Sequence, residues 1–219
     1  MTKTYNLITS PALLLFILVS CKKDDVRLGE TVLYETDFSK NDEKWGVGYS
    51  AGDTYYGYEN GVYVLKGSAT MAITSRVSED FAPSSGSMYV EVSVKPTYFS
   101  DNRYGHGGLI WNFRKDGTDL SFYALVISQS GEWKITRYNS KSSDPWEEIV
   151  DWSAGANINI SGYNTLKVLL KDGKVYFHVN DQEVYSMAAT GIATINRAGL
   201  YANRFSIVEV NHFKIASLQ

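Results

Sequence analysis

Gly48-Tyr49-Ser50-Ala51-Gly52 has the Gly-x-Ser-x-Gly spacing of a nucleophile elbow. In that motif a strand delivers the serine to a sharp turn and a helix carries the chain away, leaving the hydroxyl exposed. The flanks here lack both parts. "NDEKWGVG" upstream is not a buried strand, and "DTYYGYENG" downstream holds two glycines, each about 1 kcal/mol unfavourable in a helix. Ser50 is therefore expected in a loop before the first hairpin, with no nucleophilic role.

Carboxylates are the next candidates. Retaining hydrolysis of a glycosidic bond needs two carboxyls about 5–5.5 Å apart. On a strand, residues i, i+2 and i+4 share one face. In "YVEVSVK" those positions hold Glu91, Ser93 and Lys95, a single acid. "WEEIVDW" holds Glu147, Glu148 and Asp151, but neighbours on a strand point to opposite faces, so Glu147 and Glu148 do not converge and the segment reads as a solvated edge strand. His106, His178 and His212 lack metal-ligand spacing. Asp116 and Asp119 in "RKDGTDLS" could contribute to a calcium site, although their spacing is not that of an EF-hand and turn formation accounts for both. No catalytic residue and no metal ligand is assigned, and calcium is the sole cofactor kept open. Aromatics are plentiful: Trp45, Tyr49, Tyr55, Tyr56 and Tyr58 crowd one glycine-rich segment. Sugar rings stack their C–H faces on such side chains while a few polar groups fix orientation, although Tyr and Trp are also common in β-sheet cores.

The amino-terminal residues carry a different chemistry. Lys3 precedes the apolar run "ALLLFILV" at residues 12–19, which is too short for the roughly 20 residues that cross a bilayer. Residues 1–20 read as a cleaved signal peptide. Leu18-Val19-Ser20-Cys21 resembles the bacterial lipobox, which implies cleavage before Cys21 and acylation of that residue. Cys21 is the only cysteine, so no disulfide supports the fold. "KKDD" at residues 22–25 looks like the surface-export signal of Bacteroidota lipoproteins, and residues 21–30 read as a charged tether. The expected location is the outer membrane, on the cell surface, held by lipid. The net charge of −3 is mild, and no clustered basic face argues for nucleic acid.

From residue 31 onward, short runs rich in Val, Ile, Thr and Tyr alternate with turn signals, and helical periodicity is absent. Strands are expected at 31–37, 61–66, 70–76, 87–95, 107–114, 120–128, 132–138, 146–151, 163–171, 174–180, 183–188, 196–202 and 206–216. Asn60-Gly61 and Asp172-Gly173 suit type I′ hairpins. Alternation places Leu109, Trp111 and Phe113 in the core, with Asn112 and Arg114 facing away. It likewise buries Trp133 and Ile135 and exposes Lys134, Thr136 and Tyr138. With no linker in residues 31–219, these residues form one all-β domain, an antiparallel two-sheet jelly-roll sandwich.

"DFSKNDEKW", "GGLIWNF", "FYALVISQSGEWKITRY", "NTLKVLLKDGKVYFHVND" and "AGLYANRFSIVEVNHFKI" together resemble the concanavalin A-like, laminin G-type jelly rolls of bacterial surface proteins, in particular the group with the 3-keto-disaccharide hydrolase domains. The resemblance implies ligands on the concave sheet face or the rim loops. The Glu-x-Asp-x-(x)-Glu strand that family-16 glycosidases share on this fold is not matched. The expected function is a membrane-anchored surface lipoprotein that binds carbohydrate without catalysis through Asn112, Arg114, Tyr123 and Tyr138, with Tyr56 as a stacking platform. A hydrolase of the 3-keto-disaccharide type and a protein-interaction module of an outer-membrane complex stay open as alternatives.

Overall fold

A computed structural model describes residues 29–50, 53–77, 81, 86–98, 105–192, 194–195 and 197–218. Cys21 and the segments read as signal peptide and tether up to residue 28 lie outside the described residues. Among those residues the chain forms strands and turns with no α-helix, and every strand pairs antiparallel.

Local chemistry explains the hairpins. β11 (Asn164–Lys171) buries Leu166, Val168 and Leu170 and leaves Lys167 half-exposed. It meets β12 (Lys174–Val179) through Asp172 and Gly173, whose φ angles of 51° and 72° give the left-handed two-residue turn. That turn pairs Leu170 with Val175 and Leu166 with Val179, so both strands present their apolar sets to one side. Asn180 and Asp181, at φ 49° and 64°, then lead into β13 (Gln182–Ala188). Asn60 and Gly61 join β3 (Thr54–Glu59) to β4 (Val62–Lys66) in the same way.

The larger sheet has nine strands. β13, β12 and β11 continue into β6 (Ser87–Tyr98), β15 (Ser206–Leu218), β4, β3 and β2 (Gly48–Ser50). β15 is long enough to pair along one side with β6 and along the other with β4 and then β1 (Glu30–Thr36). The smaller sheet runs β10 (Trp146–Ser153), β9 (Trp133–Asn139), β8 (Asp119–Ser128), β7 (His106–Asp116), β14 (Gly199–Ala202) and β5 (Ile73–Arg76). The core lies between the sheets, where Leu109, Trp111, Leu125, Ile127 and Ile135 meet Val90, Val92, Val168, Phe177 and Phe213. β7 approaches its neighbours closely. A Cβ on Gly107 would stand 2.3 Å from the Tyr201 carbonyl oxygen, and one on Gly108 would stand 2.4 Å from that of Leu125.

Each segment expected from alternation contains a strand, and two expectations fail. Gly48–Ser50 is not a loop. It is the edge strand β2, paired with β3 so that Ser50 stands opposite Thr54. The chain passes from Ser50 into a second strand, so the strand-to-helix elbow is absent among the described residues. The second failure lies in β7. Between the pairs Trp111–Tyr123 and Arg114–Ser121, β7 advances three residues while β8 advances two. This is a β-bulge, with Asn112 at φ 52°. The extra residue reverses the alternation beyond it. Phe113 therefore leaves the side of Leu109 and Trp111 and packs on the outer face of the sheet with Ile110 and Phe122. Arg114 moves to the side of Ser121 and Tyr123, and Asn112 is only 8% exposed instead of facing solvent.

Candidate functional site

The two outer faces differ in character. That of the nine-stranded sheet is a lattice of charges. Lys167 pairs with Glu91 at 2.6 Å, and Lys214 pairs with Glu30. Tyr89 lies beneath Lys167 at 4.5 Å and donates to Glu30, and burial pushes its hydroxyl up to about 12. The outer face of the six-stranded sheet is apolar and aromatic. Its second cluster joins Ile110, Phe113, Phe122, Ala124, Val126 and Tyr201, all buried, though no second sheet covers them.

A cleft of about 340 Å³ opens over this cluster. Alternation in β9 turns Lys134 and Thr136 to this outer face, as expected, but Thr136 is buried there instead of exposed, with its hydroxyl donating to the Glu147 carbonyl; Val126 of β8 forms part of the cleft floor. β10 supplies Trp146 and Trp152, β14 supplies Tyr201, and β7 supplies His106. Trp146 is 37% exposed and is braced by Tyr138 at 4.8 Å, Tyr201 at 5.8 Å and Phe122 at 5.9 Å between ring centroids. Trp152 meets the edge of His106 at 5.1 Å. Two indoles thus stand on a rigid aromatic base.

The polar groups are likewise tied down. The Tyr201 hydroxyl donates to Asn203 Oδ1 at 2.9 Å, and Asn203 Nδ2 lies 3.4 Å from His106 Nδ1. Burial pushes the Tyr201 hydroxyl well above the ordinary tyrosine range, which keeps it a neutral donor. Lys134 pairs with Glu148, lies 3.8 Å from Asp151, and sits 5.7 Å from the Trp152 ring centroid. Register shifts in β10 after Glu148 and after Val150 bring Glu148 and Asp151 to one ammonium, while Glu147 turns away to Arg137. Such a wall can stack a sugar ring and bond its hydroxyls.

The residues singled out from the sequence are divided among several places. Tyr138 belongs to this face, stacked on Phe122 at 5.1 Å beside the cleft. Asn112, Arg114 and Tyr123 line a separate cavity of about 270 Å³ with Arg137 and Thr190–Ile192. The bulge takes Asn112 and Arg114 off the outer face, and alternation in β8 turns Tyr123 inward onto Trp111 while Phe122 faces out. Tyr56 lies on β3 of the other sheet, against Gly46 and Gly48, where added Cβ atoms would stand 3.0 Å and 3.2 Å from its ring and hydroxyl. Its ring packs on the main core and is no free platform. Trp45 is core, 2% exposed, donating to Tyr34. Asp116 and Asp119 flank Lys141 at 3.6 Å and 3.2 Å. Among the described residues, no group of three or more His, Cys, Asp and Glu side chains is placed to hold a metal.

Sequence reasoning missed Trp146, Trp152, Tyr201 and His106 as one site. The exposed face of β9 was the usable signal, because strands paired beside it must continue that face. The indoles of β10 stood in a segment that reads as a solvated edge.

No family model matches the chain, and no curated protein matches it. Solved structures do. An endo-acting O-glycanase structure from prominent members of the human gut microbiota aligns at TM-score 0.61 and 12% identity, over 86% of this chain and all of that one. The Emp47p carbohydrate recognition domain aligns at 0.59 and 13% identity, over 87% of this chain and 98% of the other. A family-16 glycoside hydrolase of Bacteroides ovatus aligns at 0.56 and 15% identity, over 84% of this chain and all of the other. At such identities the likeness is one of fold: this chain is an antiparallel two-sheet jelly roll of the kind that glycoside hydrolases and carbohydrate-binding modules share.

Proposed function

We propose that this protein binds carbohydrate, without catalysis, in the cleft on the outer face of the six-stranded sheet. The observation that carries the proposal is the composition of that cleft: Trp146 and Trp152 as platforms, with Lys134, Thr136, His106 and Asn203 around them. A flat apolar surface with a few convergent polar groups suits a pyranose, whose C–H face stacks while its hydroxyls take hydrogen bonds. Neighbours of the same fold include carbohydrate-binding modules and glycoside hydrolases, which agrees with this choice. Glu148 is the acid that lines the cleft, and both it and the exposed Asp151 beside it face the Lys134 ammonium.

The same proposal has the protein at the outer membrane, facing outward, with Cys21 acylated. A single acyl chain, at about 0.8 kcal/mol per buried methylene, gives only marginal attachment, and two or more anchor firmly. An array of neutral and acidic glycans tests the binding function, and incubation of the bound glycans with the protein tests catalysis. Retention of glycan without new reducing ends or 3-keto products is the expected result. Turnover would shift the reading to a hydrolase of the 3-keto-disaccharide type. Absence of any bound glycan would favour a protein-interaction module.

A further inference from the structure

The cavity beside the β7 bulge has its own chemistry. Asn112 is more than nine-tenths buried and lines the cavity. Its side-chain amide offers a donor and an acceptor at the cavity wall. Arg114 also lines the cavity and forms no ion pair with any described residue. Arg137 completes a layered arrangement. Trp111 is stacked on Tyr123 at 4.7 Å, and the Arg137 guanidinium lies 5.7 Å from the Tyr123 centroid. Trp111 is fully buried, so the stack fixes the guanidinium from the core outward. Glu147 is the one described acid paired with it, at 3.5 Å from Nη1, and is itself mostly exposed. An exposed pair of this kind contributes little and yields readily to a better-placed acceptor.

Two guanidiniums and a neutral amide around about 270 Å³ form a compact anion receptor. Guanidinium donors match a planar carboxylate in a bidentate fork. The Asn112 amide and the Ser121 hydroxyl, also in the lining, suit hydroxyls adjacent to that carboxylate. The space holds one sugar unit, below the usual range of drug-sized pockets. We propose that this cavity binds the carboxylate-bearing residue of an acidic glycan, a hexuronate or a related sugar acid. It is a second site, apart from the aromatic cleft. This inference rests on the carbohydrate reading for its sugar but on the two arginines for its charge.

The test is NMR titration of the full chain in detergent with glucuronate, glucose and acetate, repeated on Arg114→Gln, on Asn112→Gly (which keeps the positive φ) and on the cleft variant Trp152→Ala. Glucuronate is expected to shift the resonances of Asn112 and Arg114, with glucose and acetate each at least about tenfold weaker. Arg114→Gln should weaken glucuronate binding by about tenfold or more at unchanged melting temperature. Asn112→Gly should also weaken it, and Trp152→Ala should not. Absence of neutral-glycan binding by the wild-type protein, with glucuronate still held here, would refute the cleft and keep this site. Acetate binding as tightly as glucuronate would overturn the sugar acid in favour of a bare anion. Unchanged glucuronate affinity in Arg114→Gln, or no shift at Asn112, would overturn the site.

Discussion

Trp111→Ala should destabilise the domain strongly while Trp111→Phe leaves it nearly unchanged, and the contrast comes from two opposing terms. Trp111 is 0% exposed, stacked on Tyr123 at 4.7 Å and tilted against Phe177 at 6.1 Å. Truncating a buried Trp or Phe to Ala costs about 3–5 kcal/mol. The indole N–H, however, is buried with no hydrogen-bond partner, and such an orphan costs about 1–3 kcal/mol that any substitution releases. Trp111→Ala should therefore fall near the low end, about 3 kcal/mol. At about 2–4 °C per kcal/mol for a domain of this size, melting should drop by about 6–12 °C. Phe keeps the stack on Tyr123 and removes the orphan N–H, so Trp111→Phe should lie within about 1 kcal/mol of wild type. Arg114→Ala, on the rim, should stay within about 0.5 kcal/mol. Urea unfolding followed by fluorescence and circular dichroism measures all three. If Trp111→Phe proved as damaging as Trp111→Ala, the N–H would have a partner and the opposing term would vanish. Unfolding by Arg114→Ala would invert the assignment of faces at the bulge.

Further outcomes are expected elsewhere. Gly107→Ala places a methyl 2.3 Å from the Tyr201 carbonyl oxygen and 2.4 Å from Val208 Cγ2; a loss of about 1–3 kcal/mol or more is expected in the same unfolding assay, and a neutral result would mean that β7 can move away from β14. Burial holds the His178 imidazole below its ordinary value of 6.5, with the nearby Lys167 acting in the same direction and Glu183 and Asp181 opposing. The unfolded state then binds the proton more readily, so this stability is present above pH 6.5 and is lost as pH falls toward the folded value. Melting temperatures of wild type and His178→Gln from about pH 8 to about pH 5 should diverge on the acid side, and parallel curves would contradict the assignment. Cys21→Ala should leave melting unchanged and move the protein from the detergent phase to the aqueous phase; a variant that still partitions into detergent would end the lipoprotein reading.

The sheet framework was legible because its strands alternate and its turns carry Asn-Gly and Asp-Gly pairs. β11 and β12 are the plainest instance, with Asp172-Gly173 fixing their register. β2 and β3 were not legible. "GYS" is three residues long, and Gly57 in "TYYGYE" is placed by the Tyr55 hydroxyl, 2.5 Å from where its Cβ would stand, a packing constraint invisible in one dimension. The bulge at Asn112 was the costly omission. "LIWNFRK" alternates well enough to pass as a regular strand, and only an asparagine able to adopt positive φ hints otherwise. That single residue moved Phe113 outward and Arg114 inward. The cleft was half legible: Lys134, Thr136 and Tyr138 follow from β9 alone. His106 joins them through the β7–β8 and β8–β9 pairings, and Tyr201 only through the non-local β14–β7 pairing.

The measurement that bears most directly on the central claim is glycan binding by wild type, Trp146→Ala and Trp152→Ala on a common glycan panel, beside their melting temperatures. Trp146 is over a third exposed, so its loss should cost little stability. Each variant should bind at least about tenfold more weakly to the glycan that wild type prefers, with melting shifted by a few degrees at most. A preferred glycan held equally by all three proteins, or no glycan held by wild type, would contradict the assignment of the cleft.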